Sequence, residues 1–73
     1  MTRRRGARFR AVSPDGRRFL FRRSLGAAVR DAVYEVKGWG KPVGGIRLSI
    51  SCDVAMAYAE EVVASGWTFE VLQ

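Results

Sequence analysis

The chain predicts a two-layer α/β sandwich, with elements in the order ββαβαβ and two helices covering one face of a four-stranded mixed sheet. Three patterns lead to it. Residues 7–12 and 17–23 alternate apolar and basic positions at strand period, residues 25–37 carry an apolar stripe at helical period, and a strand, helix and strand pattern fills residues 46–72. At 73 residues this is one small domain. A core of that size supplies only about 3–5 kcal/mol. Residues 1–6 read as a flexible basic arm and residues 7–73 as a single α/β domain.

The first two strands are joined by Ser13-Pro14-Asp15-Gly16, whose Pro, Asp and Gly stand in the order favoured by a type I turn with a glycine bulge. If Ser13 opposes Arg17, Phe9 faces Phe21 and Ala11 faces Phe19 on the core side. Arg8 then faces Arg22, Arg10 faces Leu20, and Val12 faces Arg18 on the other side. Ser24 caps a helix from Leu25 to about Lys37, with Leu25, Ala28, Val29, Ala32, Val33 and Val36 on one stripe and Gly38 as the stop. After a glycine-rich loop, Ile46, Leu48 and Ile50 alternate with Arg47, Ser49 and Ser51 in a strand. Asp53 caps a second helix that runs to about Ser65 and packs Val54, Ala55, Tyr58, Ala59 and Val62 inward. Gly66 ends it, and Trp67, Phe69 and Val71 alternate with Thr68, Glu70 and Leu72 in the last strand. Right-handed crossovers would make the second, third and fourth strands parallel, with the first antiparallel to the second.

Charge is placed unevenly along this framework. Residues 1–23 hold nine Arg against Asp15 alone, a net of +8, whereas residues 24–73 hold four bases against six acids, a net of −2. The uncovered sheet face is expected to show Arg8, Arg10, Arg18, Arg22 and Arg47, with Asp31, Glu35, Glu60 and Glu61 on the helical side. Such a polarity orients a molecule as it approaches a polyanion. Arg8 opposite Arg22 would be a like-charge pair that destabilises a sheet unless an anion lies between them. A phosphate meets that need, and the planar arginine fork suits phosphate oxygens and guanine edges better than lysine does. A two-stranded ribbon fits a major groove, and Arg3-Arg4-Arg5 can follow the backbone or enter a minor groove.

The expectation is therefore a small non-catalytic protein that binds DNA or RNA through Arg3, Arg4, Arg5, Arg8, Arg10, Arg18, Arg22 and Arg47. The rival reading is a protein-interaction module, such as a small phage-encoded inhibitor or adaptor, that turns the same arginines toward an acidic partner. The bland reading is a solvated basic face that binds nothing specifically. Trp39, set between glycines, either folds back over the core, as its size favours, or stays exposed with Lys41 as a stacking platform or partner anchor. Met56 and Val63 widen the apolar stripe of the second helix, which fits a homodimer through that helix or cover by the neighbouring loop.

Catalysis finds little support. Histidine is absent, so the usual general base is missing. Pro14-Asp15 with Glu35-Val36-Lys37 matches the PD…ExK pattern of metal-dependent nucleases in letters, but Asp15 lies in a turn and Glu35 near a helix end. Gly40-Lys41 precedes Pro42 and a strand, which sets aside a phosphate loop. The lone Cys52 excludes an internal disulfide and should face the core. No metal and no cofactor are expected. The basic N-terminus leads into no apolar run, and no stretch is long enough to span a membrane, so a cytoplasmic setting is expected. The preference for Arg over Lys and the many Ala and Gly fit a GC-rich bacterial or phage genome.

Overall fold

The turn at Ser13 to Gly16 forms as its chemistry dictates. In the computed structural model, which describes residues 6–40, 44–45 and 49–73, Gly16 N–H donates to the Ser13 carbonyl at 2.9 Å and Gly16 adopts a φ of 89°. That left-handed conformation needs a residue without Cβ. Ser13 N–H donates to the Arg17 carbonyl at 2.9 Å, and the buried Ser13 hydroxyl accepts from Arg17 N–H at 2.9 Å while donating to Asp15.

Strand β1 (Arg8–Val12) runs into this turn, but the returning segment is not a continuous strand. It touches β1 through two isolated bridges, Val12 with Arg18 and Phe9 with Arg22. The expected register holds through Phe19, whose N–H donates to the Ala11 carbonyl at 2.9 Å. It then slips by one residue, because Phe9 exchanges bonds of 2.8 and 2.5 Å with Arg22 rather than facing Phe21. Leu20 and Phe21 together oppose Arg10, which is the arrangement of a β-bulge. The slip reverses every later side chain. Phe21 moves to the outer face instead of the core, and Arg22 moves to the helical side instead of standing opposite Arg8.

Helix α1 (Leu25–Lys37) has the expected limits. The Ser24 hydroxyl accepts from Ala27 N–H at 3.2 Å, and Gly38 closes the helix at a φ of 73° with its N–H on the Tyr34 carbonyl. Ala28, Val29, Ala32 and Val33 are buried against the sheet.

The expected single second helix is two short ones, α2 (Cys52–Met56) and α3 (Ala59–Ala64). The cap is Ser51 rather than Asp53: its hydroxyl accepts from Val54 N–H at 3.2 Å. Ala57 and Tyr58 then donate to Val54 and Ala55 at 3.1 and 2.9 Å, and these tighter three-residue bonds interrupt the α-helical ladder. The interruption lets the Tyr58 ring meet Trp39 edge-on, with centroids 5.8 Å apart. Ala55 and Val62 are buried as expected, but Val54 is exposed, together with Met56 and Val63. The side chain of Cys52 is half-buried over α1, where a Cβ on Gly26 would stand 2.9 Å from the Cys52 Cβ.

The last strand, β2 (Thr68–Leu72), pairs directly with β1, antiparallel, and among the described residues these two strands stand in place of the expected four-stranded mixed sheet. Its register places Phe9 with Val71 and Ala11 with Phe69 on the helical side, and Arg8 with Leu72, Arg10 with Glu70 and Val12 with Thr68 on the outer side. Direct pairing with β1 gives Arg10 an opposite charge across the strands. The product is a small α+β domain: β1 lies at the centre, β2 on one side, the bridged segment on the other, and helices on one face. The expected strand at residues 46–50 falls largely outside the described residues, as do Arg3, Arg4, Arg5, Lys41 and Arg47.

The core is built from small side chains. Ala11, Val29, Ala32, Val33, Ala55, Val62 and Trp67 are buried, with Phe19, Trp39, Tyr58 and Phe69 packed around them. Trp67 is the one aromatic among the buried residues, and its ring lies 5.4 Å from that of Phe19. Replacing Trp67 by Ala should cost about 3–5 kcal/mol. That is comparable to the whole stability of a domain of this size. Thermal unfolding followed by circular dichroism should lose its cooperative transition, and a midpoint within a few degrees of the parent would contradict this core.

Candidate nucleic-acid interface

The period of β1 assigns its arginines, and the neighbouring strands decide what each can do. Arg8 and Arg10 share the outer face with Val12. Across β1, Val12 faces Arg18, which puts that guanidinium on the same side. Phe21, carried there by the bulge, lies under Arg10 with the guanidinium carbon 4.4 Å from the ring centroid. That contact attracts the guanidinium to the ring face.

Glu70 enters this face from β2. Its Oε1 accepts from Arg10 Nε at 2.6 Å and lies 2.5 Å from Arg10 Nη2, and its Oε2 lies 3.9 Å from Arg18 Nε. One carboxylate thus joins two arginines from different segments. The Arg10 side chain is 25% exposed and that of Arg18 is 64% exposed, so the near partner is held and the far one is largely in solvent. Leu20 projects from the bulge at 74% exposure. Grooves lie at both ends of the face, one lined by Gly6, Arg8, Leu72 and Gln73, the other by Arg17, Arg18, Phe19 and Leu20.

Other arginines of the basic half are directed elsewhere. Arg22 donates from Nε and Nη2 to the two oxygens of Asp31 on α1 at 2.8 and 3.2 Å. This bidentate bond, and the attraction behind it, raises the Arg22 pKa above its ordinary value and fixes its charge. Arg17 donates to Glu35 at 3.2 Å and to Asp15 at 3.4 Å, and its pKa is raised by the Glu35 bond first and then by Asp15. The Asp15 carboxyl is held below its ordinary value by the Ser13 hydroxyl, with Arg17 assisting. Arg8 and the exposed Arg23 make no ion pair among the described residues.

The structure therefore brings Arg8, Arg10 and Arg18 together on one face and sends Arg22 to the opposite one. Trp39 is half-buried against Tyr58 and the core. Sequence reasoning missed Glu70 and Phe21 as members of this surface. The parity of Glu70 between Phe69 and Val71 was a usable signal, since it assigns Glu70 to the polar side of its strand. No signal in the alternation marked the bulge that moved Phe21.

Among the described residues, no three metal-ligating side chains come together, and no helix is long and apolar enough to cross a membrane. No known protein family matches the chain, and neither a characterised protein nor a solved structure is similar to it. The outer face presents positive charge from Arg8, Arg10 and Arg18 beside the exposed Leu20 side chain.

Because Asp31 is mostly shielded and takes both its donors from Arg22, Arg22→Ala should lower stability by about 1–2 kcal/mol. Arg18→Ala, which removes a largely solvated side chain, should stay within about 0.5 kcal/mol. Urea titrations of the two variants check this ordering, and equal losses would contradict the division of labour among the arginines.

Proposed function

We propose that this chain is a small, non-catalytic nucleic-acid-binding protein of the cytoplasm. Its contacts are Arg8, Arg10 and Arg18 on the outer sheet face, Arg23 beside them in sequence, and the basic arm with Arg3, Arg4 and Arg5. The observation that carries the reading is the concentration of +8 in the first 23 residues of a chain whose remainder is net negative. Two features support it further: the arginines of β1 and Arg18 share the face that the helices leave uncovered, and the Arg10 guanidinium is held over the Phe21 ring. Arg22 has no part in this reading, since Asp31 already satisfies it.

Phosphate contacts release counterions, so affinity must depend steeply on salt. Binding of fluorescent duplex DNA and single-stranded RNA, followed by anisotropy across a salt series, should give a log K against log salt slope of about −4.5 to −6 on the duplex, as expected for roughly five to seven phosphates. Arg8→Ala and Arg18→Ala should each weaken binding and make the slope shallower by about 1. Affinity that vanishes by physiological salt would count against the proposal.

A protein-interaction module is the second reading, and Leu20 is the observation in its favour. A leucine 74% exposed between arginines is a suitable apolar anchor for an acidic partner. Leu20→Ala separates the two, because it should leave duplex binding nearly unchanged and strip a protein partner from a pulldown.

A further inference from the structure

The uncovered face is basic by composition, yet a carboxylate stands within it. Glu70 could have been any residue suited to a strand, and its neighbours on that side are Thr68 and Leu72. Instead it places one oxygen against the Arg10 fork and the other within 3.9 Å of Arg18 Nε. A carboxylate and a phosphate offer arginine the same thing, two anionic oxygens in one plane with the fork. The stacking of Arg10 on Phe21 at 4.4 Å keeps the fork oriented whichever anion it meets.

We propose that Glu70 is a built-in competitor of the ligand, occupying between Arg10 and Arg18 the place that a nucleic-acid phosphate takes in the complex. This rests on the nucleic-acid reading of the same face. In the free protein Glu70 offsets one of the two positive charges and relieves their mutual repulsion. In the complex the phosphate displaces it, and the carboxylate turns into solvent, which its 42% exposure permits without a buried charge being stranded. The exchange has two effects. It lowers affinity for any single phosphate, because each contact must first displace a bound anion. It also favours ligands that deliver several phosphates at once, since a polymer held at Arg8 keeps its neighbouring phosphates near Arg10 and Arg18 at high local concentration.

Glu70→Gln tests this with little change in shape. Duplex DNA anisotropy across the salt series should show affinity raised several-fold at physiological salt with the slope close to that of the parent, because the same phosphates are met in both complexes and the variant has no carboxylate to displace. Glu70→Thr, which suits a strand as well, should act in the same direction. Glu60→Gln is the control: it removes the same charge from an exposed site on α3 and should leave the affinity nearly unchanged. Circular dichroism confirms that each variant is folded. If the parent binds and the Glu70 variants match it in affinity, the competitor role is overturned while nucleic-acid binding stands. If the Glu60 control raises affinity as much as the Glu70 variants do, the effect is one of net charge and the role is also overturned. If neither the parent nor any variant binds at low salt, both readings fall.

Discussion

The extra residue opposite Arg10 decides the character of the surface. Period-two alternation would stack Arg8, Arg10, Arg18 and Arg22 on one side of a regular hairpin, with Arg8 and Arg22 repelling each other across the strands. Inserting one residue between Phe19 and Arg22 reverses the parity of the segment beyond it. Arg22 then reaches Asp31 on α1, and Phe21 arrives beneath Arg10. Two favourable contacts replace one unfavourable pair. The bulge also ends the regular pairing of the returning segment, which is why that segment meets β1 only at isolated bridges.

The rest of the fold is governed by how little the core contains. Alanines and valines make up most of the buried set, so the helices must come close to the sheet and to each other. Gly26 allows α2 to lie against α1 where any side chain would meet Cys52. Trp67 fills the space that small residues leave, just before β2. The C-terminal strand then returns antiparallel to the free side of β1, bringing Glu70 opposite Arg10 and completing the outer face. Core and site are therefore linked through one short strand: the same five residues supply Phe69 to one face and Glu70 to the other.

Much of the local structure was legible in the residues. Pro14, Asp15 and Gly16 specify their turn, and Ser24 and Gly38 bound α1 because capping is a local matter of hydrogen bonds and φ. The alternation of residues 68–72 is equally plain. Partners were not legible, since alternation gives the faces of a strand but not its neighbour or direction. The four-stranded sheet was an assembly of separately reasonable elements, and a two-stranded sheet in which β2 pairs directly with β1 replaced it. The break near Tyr58 was hidden as well, because nothing in Asp53 to Ser65 breaks a helix; the contacts of Tyr58 with Trp39 lie far away in sequence. For the site, the arginines were visible, whereas their division into bound and available ones depends on Asp31, Glu35 and Glu70, whose positions only tertiary packing sets.

The central claim is that arginines on the outer sheet face meet the phosphates of a nucleic acid while Arg22 remains on Asp31. Nuclear magnetic resonance of the arginine Nε–Hε groups during a duplex DNA titration tests it residue by residue. The account predicts that the signals of Arg8, Arg10 and Arg18 shift progressively with added duplex while that of Arg22 stays in place. A titration that moves Arg22 as far as Arg18, or that leaves all of the outer-face arginines unmoved, would contradict it.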